Sequence, residues 1–270
     1  MIKYILLDYD RTLVNNNKEL TKDTKEILIE MQKKGITLII GTGRPFSGVK
    51  HIIEELQMDK YEGYAITCNG ADISTADKFK TFYTNNFSSD EIEEIHTKVK
   101  DIDIVKGIYN SNNELVATSF NNDINDEATS NRLSLNTKGN IITDSPKYLL
   151  SESRETMDKR YEQVINVLDE SLYNIVRSSP RYIEITKLGS DKGLALKTLM
   201  SKIGDSCDKV IGFGDSGNDI TMMKESGVSV AMGNSTKEVI AMSDYVTDTN
   251  EEDGIATFIK AHMDLFDLKK

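Results

Sequence analysis

The chain has 270 residues, 38% hydrophobic and 29% charged, an ordinary globular balance able to bury a real core. That length suits two domains or one large one, at roughly 150 residues per domain. A formal charge of −11 argues against a nucleic-acid binder, which would carry a basic stripe, and against docking on an anionic membrane.

An anionic substrate would then need local neutralisation, for which a divalent metal is the natural candidate. No apolar run approaches the ~20 residues of a membrane-spanning helix. The apolar stretch at the start is too short for a secretion signal and is broken by Asp8. The expected setting is soluble and cytoplasmic, with reduced cysteines at Cys68 and Cys207.

In chain order, Tyr4 to Leu7 reads as a buried strand, and Thr21 to Lys34 as an amphipathic helix with Ile27, Leu28 and Met31 inward, ended by Gly35. Ile36 to Ile40 is a continuous β-branched strand of the kind found in parallel sheets. A helix follows from Pro45 to about Leu56, then a short strand at Tyr64 to Thr67.

The character changes near Phe82. Ser89 to Val99 predicts a helix, Ile104 to Thr118 a hairpin around Asn110 to Asn113, and the polar stretch Asn121 to Asn140 irregular surface. A helix from about Arg154 to Leu168 precedes strands near Asn174 to Val176 and Tyr182 to Ile185. After Lys192 the strand-helix alternation returns through Leu194 to Met200, Val210 to Phe213, Ile220 to Glu225, Val228 to Met232, Thr236 to Met242 and Tyr245-Val246. The pattern predicts an α/β fold: a Rossmann-like, doubly wound parallel-sheet core from residues 1–82 and 188–270, with an inserted α+β unit at 83–187.

Ligands of such sheets bind at the carboxyl ends of the strands, and four loops there hold polar residues. The first carries Asp8 and Asp10, whose alternate spacing would aim both carboxylates at one point. The second is Gly41-Thr42-Gly43 at a helix start, where backbone N–H groups favour phosphate. The third is Lys192 in Ser190-Asp191-Lys192-Gly193, and the fourth Gly214-Asp215-Ser216-Gly217-Asn218-Asp219. Singly, each has a plainer reading: Thr42 as a helix cap, Lys192 as a solvated charge, Asp8, Asp10, Asp215 and Asn218 as turn residues. Four complementary loops by accident is a much larger demand.

Asp8-x-Asp10-x-Thr12, Thr42-Gly43-Arg44-Pro45, Lys192-Gly193 and Gly214-Asp215-x-x-Asn218-Asp219 resemble, in order and spacing, the four motifs of the haloacid dehalogenase superfamily. Asn69-Gly70-Ala71, Tyr182 to Ile185, Val230 to Asn234 and Glu252 to Ala256 look like its Cof-type branch, in which a large cap lies between the second and third motifs. The resemblance implies Asp8 as a nucleophile forming an aspartyl-phosphate and Asp10 as general acid and base. It implies Mg²⁺ held by Asp8, the Asp10 backbone carbonyl and Asp215, with Asp219 behind. Thr42, Gly43, Lys192 and Asn218 would bind the phosphoryl group. Arg44 stands open between a phosphate contact and an ion pair, the ion pair being favoured.

The activity implied is a Mg²⁺-dependent phosphatase for a small phosphorylated metabolite, a sugar phosphate or phosphorylated cofactor, with no protein partner. The cap would close over the substrate and choose the leaving group, and Arg177, Ser178 and Arg181 are candidate contacts within it. Rival readings are phosphotransfer between hydroxyls, as in mutases resembling this branch, and a non-catalytic metabolite sensor. Arg11, where the family usually has Gly, is the one residue favouring the sensor.

Overall fold

The computed structural model describes residues 1–268. Its strands, in chain order, are β1 (Tyr4–Asp8), β2 (Thr37–Gly41), β3 (Tyr64–Thr67), β4 (Asp72–Thr75), β5 (Thr81–Thr84), β6 (Val105–Tyr109), β7 (Glu114–Ala117), β8 (Ser134–Asn136), β9 (Tyr148–Ser151), β10 (Tyr173–Ser179), β11 (Tyr182–Lys187), β12 (Val210–Gly214), β13 (Val228–Ala231) and β14 (Tyr245–Val246). The α-helices are α1 (Lys22–Lys33), α2 (Phe46–Glu55), α3 (Ser89–Val99), α4 (Asn122–Ser130), α5 (Arg154–Val167), α6 (Lys192–Ile203), α7 (Ile220–Glu225), α8 (Lys237–Met242) and α9 (Gly254–Ala261). None of them is long and apolar enough to cross a membrane. The chain divides into two compact units, residues 1–83 with 191–270, and residues 84–190.

The first unit is built on a sheet ordered β14-β13-β12-β1-β2-β3-β4-β5. From β14 to β3 every pairing is parallel, and β4 turns back antiparallel on β3. Parallel strands buried on both faces need continuous apolar runs, and β1 and β2 supply them. Ile5 and Leu7 enter one core with α1, α2 and α9, while Leu6 faces the opposite core with α6 and α7. Each such side chain contributes about 1.5–3 kcal/mol on leaving water. The fold is thus the doubly wound α/β sheet expected, and β1 lies inside it, between β2 and β12.

The second unit holds a six-stranded sheet ordered β10-β11-β9-β6-β7-β8, antiparallel except for β7 with β8. Helices α3 and α5 cover one face through Ile92, Ile95, Met157 and Val164, and α4 packs Ile124 and Ala128 on the other. A reciprocal cap between Ser88 and Glu91 starts α3. Lys147 and Glu184 form an internal ion pair at 3.0 Å, with side chains 2% and 13% exposed.

Asn121 to Asn140 is not irregular surface. The Asn121 side chain accepts from the Ile124 N–H at 2.6 Å and starts α4, and β8 follows. The polar residues of that stretch coat one side of a helix whose inner stripe is short. Strand β9 and helix α9 also lay outside the sequence expectation.

Candidate active site

Strand β1 ends at Asp8, and the chain then turns irregularly through Tyr9–Leu13, with Asp10 extended and Arg11 left-handed. The strand stops before Asp10, and the two carboxylates take different hydrogen-bond partners, though the Asp10 charge is still felt at Asp8. Asp8 is 5% exposed and accepts from Lys192 Nζ at 2.7 Å. Asp10 is half-buried and accepts from Arg44, Nε to Oδ2 at 2.7 Å and Nη2 to Oδ1 at 2.9 Å, with Lys18 Nζ at 2.5 Å from Oδ1. Arg44 is therefore an ion-pair partner of Asp10, as favoured from sequence, and its guanidinium lies 5.0 Å from the Tyr9 ring centre.

The turn is stabilised from two distant loops. Asn234 Nδ2 donates to the Arg11 carbonyl at 2.8 Å, and Asn250 Nδ2 to the Val14 carbonyl at 3.0 Å. Arg11 needs this support, because its backbone is left-handed, φ 62° and ψ 10°. An L-residue with a Cβ costs about 1–2 kcal/mol there, and glycine much less.

Lys192 opens α6, whose cap is Asp191 accepting from the Leu194 N–H at 2.8 Å. Its ammonium is 1% exposed and bridges Asp8 Oδ1 and Asp219 Oδ1, both at 2.7 Å. It can lie so deep because α6 runs very close to α7: a Cβ on Gly193 would sit 2.5 Å from the Thr221 carbonyl oxygen. Asp219 is fully buried, and its other oxygen accepts from the N–H groups of Asp215 and Ser216, each at 3.0 Å. Asp215, 2% exposed, completes a cluster in which donor oxygens of Asp8, Asp215 and Asp219 lie within 4.8 Å of one another.

Burial and the Asp219 charge push the Asp8 carboxyl well above its ordinary range, with Lys192 opposing. The same two causes raise Asp215 to about 6, against Arg11 and Lys192. For Lys192 burial works against the charge, but Asp219 and Asp8 outweigh it, and the ammonium stays protonated. Burial also works upward on Asp10, yet Arg44 and Lys18 hold its carboxyl below the usual range.

The donor set suits a hard divalent cation. Three buried carboxylates lie together with one buried ammonium that pairs with only two of them, and Asp215 Oδ2 is buried with no hydrogen bond among the described residues. An all-oxygen cluster short of positive charge is the chemistry such ions take.

Thr42 does not cap α2. Its hydroxyl accepts from the Arg44 N–H at 3.1 Å, and the N-cap of α2 is Pro45. Asn69, not singled out as a site residue from sequence, joins the other loops. Its N–H donates to the Thr42 carbonyl at 2.9 Å, and its side-chain oxygen accepts from Asn218 Nδ2 at 3.3 Å. A Cβ on Gly43 would meet that same oxygen at 3.0 Å, so glycine leaves room for Asn69. Cys68, Asn69 and Gly70 all have positive φ, and the Asn-Gly pair was the available signal. In the second unit Arg181 is engaged by Asp123 and Asp126, and Arg177 by Asp158.

The sequence matches the family model for haloacid dehalogenase-like hydrolases over residues 5–259. It is 32% identical over 260 residues to a 5-amino-6-(5-phospho-D-ribitylamino)uracil phosphatase of Bacillus subtilis, covering 96% of this chain and 95% of that protein. A putative phosphatase of the same organism is 28% identical over 265 residues, covering 95% and 96%. The fold matches a haloacid dehalogenase-like hydrolase from Bacteroides thetaiotaomicron at a TM-score of 0.89 and 30% identity, covering 97% of this chain and 99% of that one.

The chain is a member of the haloacid dehalogenase-like hydrolases, and within them an enzyme of the phosphoric monoester hydrolase class.

Proposed function

We propose that this chain is a Mg²⁺-dependent phosphatase that hydrolyses a small phosphorylated metabolite through an aspartyl-phosphate on Asp8. The observation carrying this reading is the Lys192 ammonium between Asp8 and Asp219, with Asp215 beside them. An Asp8 oxygen attacks phosphorus as the ester P–O bond breaks, and Asp10 gives its proton to the departing alcohol. A water then attacks the phosphorus and passes a proton to Asp10, while the Asp8 carboxylate leaves. Lys192, Thr42, the Gly43 N–H and Asn218 offset charge on the phosphoryl oxygens. Mg²⁺, held by Asp8, the Asp10 backbone carbonyl and Asp215, with Asp219 behind, supplies further positive charge against those oxygens when bound.

Residues 84–190 are assigned the choice of leaving group, because the motif residues all lie in the other unit. The phosphorylated ribityl compound named for the Bacillus relative heads the substrate panel, followed by sugar phosphates and other phosphorylated cofactors. The test is phosphate release from this panel with and without Mg²⁺, in wild type and Asp8→Asn. Metal-dependent release that the substitution abolishes supports the proposal. An isomerised sugar phosphate in place of free phosphate would mark phosphotransfer, and no turnover of any compound would refute hydrolysis of this class.

A further inference from the structure

Arg11 has no part in the reaction proposed above, and its left-handed backbone gives the fold no benefit that glycine would not. The contacts that hold it also direct it. Asn234 receives the Arg11 Nη2 donor on its carbonyl at 3.2 Å while gripping the Arg11 carbonyl from its amide. Asn234 is fixed in turn by the Asn250 N–H, 3.0 Å from its side-chain oxygen. So anchored, the guanidinium turns back toward the acid cluster, with Nε 3.6 Å from Asp215 Oδ2. That separation is an ion pair and too long for a direct hydrogen bond. The two partners differ sharply in setting: the Arg11 side chain is 54% exposed, the Asp215 side chain 3%.

Lys192 bonds to Asp8 and Asp219 but donates no hydrogen bond to Asp215. The Asp215 oxygen facing Arg11 accepts no hydrogen bond at all. We propose that Arg11 is a tethered counter-cation for Asp215 that competes with the divalent metal, keeping the metal-free cluster together and weakening Mg²⁺ binding. The inference rests on the metal site proposed above.

The physical reason is charge and shape. A planar guanidinium on a tether neutralises a carboxylate from the rim, whereas a small ion enters among the oxygens. An ion seated on Asp215 puts two positive charges against Arg11, and the repulsion drives the exposed side chain outward. Binding therefore costs one ion pair and adds one repulsion, and both raise the dissociation constant.

The test is Mg²⁺ titration calorimetry on the full chain, with metal-free melting as a second readout, for wild type, Arg11→Gln, Arg11→Lys and Asp215→Asn. Gln removes the charge and keeps the backbone strain; Lys keeps both. Arg11→Gln is expected to bind Mg²⁺ roughly two- to tenfold tighter, as for loss of one partly screened ion pair. It should melt lower without metal, and Arg11→Lys should stay near wild type. If Arg11→Gln does not fold, Arg11→Asn replaces it, since Asn tolerates the left-handed region. Wild-type or weaker affinity in the charge-free variant overturns the inference alone. No Mg²⁺ binding by wild type, or binding unchanged in Asp215→Asn, overturns the metal site and the inference together.

Discussion

Arg44 holds Asp10 by two parallel hydrogen bonds, Nε to one carboxylate oxygen at 2.7 Å and Nη2 to the other at 2.9 Å. The resting state of Asp10 is therefore the carboxylate, which can take a proton from water but must first be protonated before it can give one to the departing alcohol. Burial opposes this and Arg44 and Lys18 prevail. In Arg44→Gln the Asp10 carboxyl should rise toward its ordinary range. The alkaline limb of the kcat/KM profile, where a general acid loses its proton, should then move to higher pH. A limb that stays in place would free Asp10 from the acid role.

Replacing Lys192 by Met leaves Asp8 and Asp219 facing each other in a buried site with no ammonium between them. Removing one partner of a buried ionic group costs about 3–5 kcal/mol, and removing a charge stabiliser of the transition state costs about 10²–10³ in kcat. The expected variant melts well below wild type without metal and is almost inactive. Mg²⁺ should raise its melting temperature more than that of wild type, which differential scanning calorimetry would read directly.

Asp215 titrates near 6 in the folded, metal-free protein against an ordinary value of 3.8. Between those values the folded state holds a proton that the unfolded state has released, so metal-free stability falls as pH rises across the window. Metal binding has the opposite sign, because a ligand carboxylate must be ionised. Mg²⁺ affinity should therefore weaken as pH falls through about 6, with protons released on binding below it. Calorimetry in buffers of different ionisation enthalpy checks both.

Asn69 ties the Thr42 carbonyl to Asn218 from a left-handed position, φ 54°. Asn69→Gly keeps the backbone freedom and removes the amide, so its loss should fall on activity more than on folding. A drop of about tenfold in kcat/KM with little change in melting temperature is expected, near the worth of one hydrogen bond. Asn69→Ala should add a melting penalty from the strained backbone.

In the second unit, Lys147→Met should be costly and Lys147→Met with Glu184→Leu far less so. Loss of one buried partner strands the other charge, at about 3–5 kcal/mol, whereas replacing both by apolar groups is often neutral. Chemical denaturation of the single and double variants compares the two.

The parallel strands of the first unit were legible because a parallel sheet demands unbroken apolar runs, as in Ile36 to Ile40, whereas β4 and β5 were not expected. The gathering of Asp8 and Asp215 followed from their places at strand ends, and that of Lys192 and Asp219 from the starts of α6 and α7. What the sequence concealed was conformational or long-range. Nothing in Asp8-Tyr9-Asp10 marks the point where the strand stops, so the different partners of the two carboxylates were not visible. Arg11 in the place of Gly raised a question that only its backbone angles answer. Helix α4 was hidden by composition, since Asn122 to Ser130 has just Ile124 and Ala128 to bury. The clamp of Asn234 and Asn250 on the first turn joins residues with no local pattern between them.

The pairing of Leu7 with Phe213 across β1 and β12 joins two segments that are synthesised far apart in time. At roughly 5–20 residues per second, synthesis leaves β1 waiting on the order of tens of seconds for that partner. Meanwhile residues 84–190 emerge as one uninterrupted stretch and have all their own strands to hand. The N-terminal segment must endure that interval with an apolar strand edge open, the state most exposed to mispairing with another nascent chain. The cluster around Asp8 comes into being only once Asp219 has left the ribosome, so a product terminated before Lys192 carries Asp8 and Asp10 but neither Lys192 nor Asp215.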